Sequence, residues 1–309
     1  MADFPSRLRE LRARRKLRQK DLAAQLGVAQ TTVANYEQGS RFPGEKTLER
    51  IADFFDVSLD YLLGRAESSI RHEPFPNPQE AGSVPLSPAA RRYLNTLLAG
   101  NREEAGRLVL QALQSGDSLR AVYREVFERT LQEVGTLWAD GKIDVPREHH
   151  FSLSTQQIMS QLYPHLLEAK KKGRGLACVS LTVSGEHHEI GSRMVADFLE
   201  LEGWRTFFLG SNLTYQDILQ AVKNFRPDVL ALSATMAHNI DSAARIIRLI
   251  RESSELRAVG ILVGGQAFNL DPELWKQTRA DGYAANADEA VKAAAWIAKD
   301  RRTRRQDAD

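Results

Sequence analysis

The sequence holds one cysteine, Cys178, among 309 residues. A disulfide framework is therefore excluded, and a lone thiol inside an apolar run reads as a buried structural residue. No run approaches the ~18 consecutive apolar residues of a membrane-spanning helix. Met1-Ala2-Asp3-Phe4-Pro5 does not lead into the apolar core of a secretory signal. Together these absences point to the cytoplasm and to no membrane partner. A large excess of charge is missing too. Lys and Arg number 42 against 40 Asp and Glu, a net charge of only +2, so the distribution of charge matters more than its sum. At ~150 residues per domain, the length suggests two or three domains.

The charge is concentrated at the amino end. Arg7, Arg9, Arg12, Arg14, Arg15, Lys16, Arg18 and Lys20 are opposed there only by Glu10, and Phe4, Leu8, Leu11 and Leu17 form an apolar stripe. Taken alone, this is a basic amphipathic helix: a solvated face, a membrane-surface helix or a nucleic-acid footprint. The two adjoining segments decide between these. Gln19 to Leu26 reads as a short helix closed by Gly27, and a second helix runs from about Gln30 to Glu37. Two short helices joined by a tight Gly-containing turn make a helix-turn-helix.

Residues 7–63 resemble the phage-repressor-like (Cro/cI, Xre) helix-turn-helix family. The residues that carry this are Gln19, Leu22-Ala23, Leu26-Gly27-Val28, Thr32-Val33, Asn35-Tyr36-Glu37-x-Gly39, Pro43, Ile51-Ala52 and Val57 to Leu63. The resemblance implies a double-stranded DNA operator as partner. A recognition helix enters the major groove with its first residues facing base edges, which nominates Gln30, Thr31, Thr32 and Asn35. Gln19, Arg18, Lys20 and Arg41 are expected on phosphates. Some such domains serve only protein contacts.

From Glu67 to Pro88, prolines alternate with Asn, Gln, Ser and Gly and no period survives; this reads as an extended spacer. Ala89 to Lys172 reads as four helices, about 89–98, 102–114, 118–138 and 146–172, with apolar residues recurring at three and four: a four-helix bundle. The domain limits are thus 1–66, 67–88, 89–172 and 173–300, with a basic tail at 301–309 expected to be a disordered charged end.

Ser184-Gly185-Glu186-His187-His188-Glu189-Ile190-Gly191 comes after an apolar run, Leu176 to Val183, that reads as a buried strand. An amphipathic helix, about Ile190 to Leu201, comes next. Further strands are expected at 206–210, 228–233, 258–265 and 282–284, with helices between and after them (215–224, 240–253, 287–298). That alternation predicts a parallel, flavodoxin-like (Rossmann-like) α/β sheet of order 2-1-3-4-5. Glu186, His188 and Gly191 then lie beyond the carboxyl end of the first strand, where open α/β sheets bind ligands. An imidazole with a carboxylate two residues away supplies a metal ligand and the partner that orients it. The same six residues also describe a surface histidine beside a glutamate. Asp281-Gly282-Tyr283 reads as a pocket wall.

Glu-x-His-x-x-Gly resembles the Asp-x-His-x-x-Gly signature of cobalamin-binding domains, in which the histidine replaces the cofactor's own benzimidazole as lower ligand to cobalt. That signature continues with a Ser-x-Leu or Ser-x-Thr-like element and a Gly-Gly pair, and Ser233-Ala234-Thr235 and Gly264-Gly265 stand in those places. The resemblance implies that His188 is the metal ligand and that Glu186, Gly191, Ser233, Thr235, Gly264 and Gly265 shape the pocket. The glycines would remove side chains where the nucleotide tail passes close to backbone, and the hydroxyls would donate to its polar groups. Glu in place of Asp lengthens the hydrogen-bonding arm.

Trp138-x9-Glu148-His149 ends one bundle helix and opens the next. This spacing resembles the light-responsive cobalamin regulators of the CarH/LitR group, in which the tryptophan covers the upper adenosyl group and Glu and His neighbour it. His150 reads as a bystander. Ala139 stands where some members carry a second cobalt-ligating histidine, so His149 or water would have to serve instead. The repressor-like module also departs from the MerR-type module of that group. The implied protein is a regulator carrying adenosylcobalamin or another cobalamin form. It forms a homo-oligomer, dimer or tetramer, whose DNA binding changes when light removes the adenosyl group. A light-independent cobalamin-sensing repressor, a corrinoid methyl carrier and a domain that has lost its cofactor are the rivals. No paired catalytic carboxylates or nucleophile–base arrangement accompany the motif, so an enzyme is not expected.

Overall fold

The computed structural model describes residues 3–15, 17–55, 57, 59–64, 85–271 and 273–306. The chain divides into two units, Met1–Pro74 and Phe75–Asp309. Most of the expected spacer, and the last three residues of the expected tail, lie outside the described residues.

The first unit is helical: α1 (Phe4–Arg14), α2 (Gln19–Leu26), α3 (Gln30–Gln38), α4 (Glu45–Phe55) and α5 (Leu59–Leu62). Asp3 caps α1 by accepting from the Ser6 amide at 3.1 Å. Gly27, which ends α2, has φ 63°, and Gly39, which ends α3, has φ 74°, a region that costs any residue with a Cβ. Leu8, Leu22, Leu26, Val33, Ile51 and Leu62 form the centre of the core. One basic residue expected on the charged face is in fact interior. Arg7 is buried, with its guanidinium 3.9 Å from the centroid of the Tyr61 ring.

The second unit begins with the bundle: α6 (Pro88–Leu98), α7 (Arg102–Gln114), α8 (Leu119–Ala121), a π-helical segment at Val122–Glu128 running directly into α9 (Arg129–Ala139), α10 (Val145–Gln161) and α11 (Tyr163–Ala169). The apolar period predicts a last helix unbroken to Lys172, and the structure differs. The helix is interrupted at Leu162 because Pro164 has no N–H to continue the ladder. It stops at Ala169 because the next lysines leave the helix for other partners: Lys170 Nζ reaches Glu200 at 2.9 Å and Lys171 Nζ reaches Glu202 at 2.8 Å.

The α/β part comes next: β1 (Ala177–Thr182), α12 (Ile190–Leu201), β2 (Arg205–Gly210), α13 (Tyr215–Phe225), β3 (Val229–Ser233), a 3₁₀ turn (Ala237–Asn239), α14 (Ile240–Glu252), β4 (Gly260–Gly264), α15 (Gln266–Leu270), α16 (Leu274–Gln277), β5 (Gly282–Ala284) and α17 (Ala287–Gln306). All strand pairs are parallel and the order is β2-β1-β3-β4-β5, as the alternating pattern predicts. The register sets Thr182 beside Ser233 and Ser233 beside Gly264, so the motif-bearing strand ends finish level with one another. Cys178 is fully buried in β1, and burial pushes its thiol up to about 12.

Two expectations fail at the carboxyl end. The basic residues from 301 on do not form a free end, because α17 continues through Gln306. Asp281 is not a pocket wall. Its carboxylate accepts from Arg251 at 2.7 Å, from the Ile261 amide at 2.7 Å and from Arg301, tying α14, β4 and α17 together away from the strand ends.

The bundle and the sheet share one core. Tyr123, Phe127 and Phe198 pack together, with the Tyr123 centroid 5.3 Å from that of Phe127 and 5.8 Å from that of Phe198. At this seam Tyr123 Oη donates to Asp197 Oδ2 at 2.8 Å. Burial pushes the Asp197 carboxyl up to about 6, although the Tyr123 hydrogen bond and Arg193 pull the other way. A carboxyl raised in the folded state binds its proton more tightly when folded. Its ionisation therefore costs stability as pH rises through the folded value, and that cost disappears below the unfolded value of about 3.9. The stability advantage of Asp197→Asn over the wild type should therefore widen by about 2 kcal/mol between pH 4 and pH 8. Urea denaturation at the two pH values measures this; a gap that does not change would contradict it.

Candidate cofactor and nucleic-acid sites

The loop after β1 is built around one buried carboxylate. Glu186 is 1 % exposed. Its Oε1 accepts from the amides of His187 at 2.9 Å and His188 at 3.0 Å, and from His188 Nδ1 at 2.5 Å. Its Oε2 accepts from the amides of Thr235 and Met236 and from Asn239 Nδ2, each at 2.9 Å. Burial alone would push this carboxyl up. The hydrogen bonds from His188, Met236 and Asn239 outweigh it and hold the group well below the usual carboxylate range. The loop is tied from two further sides: Thr182 Oγ1 donates to the Glu186 carbonyl at 3.0 Å, and Ser242 Oγ donates to the Ser184 carbonyl at 2.8 Å.

Glu186 thus fixes His188 by its Nδ1, which leaves Nε2 as the nitrogen that can bind a metal. The His188 side chain remains 57 % exposed. The Glu186 hydrogen bond raises its pKa against the effect of burial, and the charge of Glu148, from the first turn of α10, adds to the rise. The bundle therefore places a carboxylate within electrostatic reach of the imidazole. Among the described residues no three His, Cys, Asp or Glu side chains gather to hold a bare ion. A single imidazole is enough only where the other ligands arrive with a macrocycle.

Beside this loop a crevice of about 180 Å³ opens over the strand ends. Gly191, Ser233, Thr235, Gly264 and Gly265 line it from the sheet side, and Glu128 and Gln132 from the bundle. These motif residues do come together, but they have different tasks. A Cβ on Gly264 would lie 2.7 Å from the Ala284 carbonyl oxygen, and one on Gly265 (φ 97°) would lie 2.4 Å from the Ala234 carbonyl oxygen. Both glycines are demanded by the protein's own backbone, not by a passing ligand. Gly191 is the opposite case. A Cβ there meets nothing within 4 Å, so its missing side chain leaves space in the crevice itself. Thr235 takes part through its backbone amide, which donates to Glu186.

A cobalamin fits this arrangement in three respects: an anchored imidazole with a free nitrogen, an open crevice for the tail, and a glycine that keeps the entrance clear. Sequence reasoning missed Asn239 and Thr182. Asn239 had a local signal, an amide where the loop after β3 turns into a helix. Thr182 had none, since a threonine ending a strand is ordinary.

At the end of the bundle Trp138 is 45 % exposed. Glu148 bonds His149 Nδ1 at 2.5 Å and accepts from Ser152 Oγ at 2.6 Å. The His149 side chain is 68 % exposed. An exposed indole and an exposed imidazole thus flank the turn between α9 and α10.

In the first unit, α3 buries Val33, Tyr36 and Glu37. Gln30 and Thr31 are exposed, Thr32 and Asn35 half-buried, and Arg41 exposed. The face expected to read bases is therefore the solvent face of the helix. Gln19 is half-buried, and its amide donates to Glu37 Oε2 at 2.8 Å, beside the Arg12–Glu37 ion pair. Glu37 is a buried clamp that holds α1, α2 and α3 together, a task that its sequence position alone did not reveal.

Comparison with known proteins agrees with this division. Residues 8–62 match the helix-turn-helix family, residues 89–163 match a B12 binding domain, and residues 176–292 match a second B12 binding domain. The chain is 25 % identical over 199 residues to trimethylamine corrinoid protein 2 of Methanosarcina mazei, covering 64 % of this chain and 90 % of that one. It is 29 % identical over 178 residues to dimethylamine corrinoid protein 2 of Methanosarcina acetivorans, covering 54 % and 78 %. The monomethylamine corrinoid protein of Methanosarcina barkeri shares the fold of the second unit, with a TM-score of 0.59 at 21 % identity over 67 % of this chain and 96 % of that chain.

Proposed function

We propose that this cobalamin-binding protein, with its Xre-type helix-turn-helix, is a transcriptional regulator whose operator affinity depends on its bound cofactor. The observation that carries the reading is the Glu186 clamp: six donors fix one carboxylate so that His188 is presented to the cofactor from below. The same chain carries a polar, solvent-facing α3. The exposure of Gln30 and Thr31 supports their meeting base edges, and that of Arg41 its meeting phosphate. Copies of the chain held together by the cofactor-bearing unit would gain affinity for paired half-sites through effective concentration. Selection from a random double-stranded pool tests this. A sequence should emerge that the protein binds at least tenfold differently with and without cobalamin, and that Gln30→Ala no longer selects. Equal, sequence-blind binding by both forms would refute it.

Trp138, Glu148 and His149, which flank the turn between α9 and α10, would cover an adenosyl group, and adenosylcobalamin would supply a light-labile cobalt–carbon bond there. Illumination of the adenosylcobalamin-loaded protein should then change its visible spectrum and its gel-filtration volume together. A change in neither identifies a light-independent sensor. The second reading is a corrinoid methyl carrier, favoured by the likeness to methylamine corrinoid proteins across the second unit. The helix-turn-helix favours the regulator, because a methyl carrier has no need of an operator.

A further inference from the structure

Among the residues lining the crevice, two from the bundle belong to neither the motif nor the cap. Glu128 ends the π-helical segment, and Gln132 lies one turn later on the same face; both line the crevice together with Gly191 and Ser192. A π-helical stretch changes the helical register, so the side chains at its end point differently than in an unbroken α-helix, and such stretches recur at functional sites. Four of the other polar side chains that line the crevice are engaged with one another or with their neighbours. Ser180 Oγ donates to the Ser192 carbonyl at 2.8 Å and lies 2.9 Å from Ser192 Oγ. Asn269 bonds the Ala285 carbonyl and Tyr283 Oη, and Asn286 bonds Glu289.

Glu128 differs. Arg124, Arg129, Glu125 and Asp288 all act on it through their charges, yet among the described residues none donates a hydrogen bond to its carboxylate, and burial raises its pKa. Its carboxylate, half-buried in the crevice wall, is thus available to accept a hydrogen bond from a ligand there.

We propose that Glu128 is a recognition residue, contributed by the bundle, for the nucleotide tail of a complete corrinoid. It accepts a hydrogen bond from a ribose hydroxyl of that tail. The inference rests on the reading that the tail occupies this crevice. It makes the position of the bundle depend on the tail as well as on the ring.

Absorbance titration of the apoprotein with three corrinoids tests it: cobinamide, which has no nucleotide; cobalamin, whose dimethylbenzimidazole has no N–H on its outer edge; and the adenine-bearing analogue, which adds an amine. Glu128→Leu should weaken cobalamin binding about tenfold and leave cobinamide binding unchanged. Glu128→Gln keeps the shape and should show the same selective loss at smaller size, so it carries the test if the Leu variant folds poorly. Equal losses with cobalamin and the adenine analogue are expected of a ribose donor; a loss confined to the adenine analogue would overturn the assignment. Losses equal for cobalamin and cobinamide, or absent for both, overturn the inference. A wild-type protein that takes up no corrinoid would instead sink the cofactor reading itself.

Discussion

Gly191→Phe should abolish cobalamin binding and leave the apoprotein folded. The Cβ at this position meets nothing within 4 Å, and the residue lies in the first turn of α12, where a glycine contributes no packing. Replacing glycine in a helix slightly favours the helix. The melting temperature of the apoprotein should therefore stay within about 2 °C of the wild type, since a surface change of this kind rarely exceeds about 0.5 kcal/mol. The ring, however, would fill the crevice that the tail must enter. Cofactor uptake, measured by visible absorbance after desalting, should fall to background. Normal uptake by the variant would mean that the tail lies elsewhere.

The second large effect is expected at Glu186. Glu186→Gln keeps the shape of the side chain and changes only its charge and one donor–acceptor assignment. Each carboxylate oxygen accepts three hydrogen bonds, so whichever position receives the new NH₂ group, its hydrogens face three donors. The side chain is buried and solvent cannot compensate. The variant should lose about 3 kcal/mol or more of stability in urea denaturation of the apoprotein, because several buried donors are stranded at once. It should also weaken cobalt coordination, since among the described residues only Glu186 bonds His188 Nδ1 and the amide is a poorer acceptor than the carboxylate. A variant within about 1 kcal/mol of the wild type would show that the clamp is not structural.

The sheet is legible in the sequence for a physical reason. Strands buried on both faces are short, continuous apolar runs, and β1, β3 and β4 each keep that pattern between amphipathic helices. The turn glycines of the first unit can be read in the same way, because the backbone there adopts positive φ. Helix ends are less legible. Pro164 stands openly in the sequence, but the apolar period continues across it and hides the break at Leu162. The extension of α17 depends on Arg301 reaching Asp281, a contact 20 residues apart that no local pattern shows.

The site divides along the same line. Glu186 and His188 are two residues apart, and their pairing follows from proximity. The other three donors to Glu186 come from residues 235–239, which only the β1–β3 pairing brings close. The glycines show how a motif can be found for an incomplete reason. Gly264 and Gly265 stand in the sequence as ligand glycines, yet carbonyl oxygens of neighbouring segments require them; of the three glycines lining the crevice, Gly191 is the one whose Cβ position is open.

Cobalt bound from below by the His188 imidazole is the feature on which the proposed function turns. Electron paramagnetic resonance of the cobalt(II) form tests it directly, in protein whose histidines carry nitrogen-15. A protein imidazole on cobalt would split each line into a doublet, because nitrogen-15 has spin one-half, and Glu186→Gln would weaken that doublet. A triplet in the labelled protein would mean that the cofactor's own benzimidazole had kept its place, and would contradict the account.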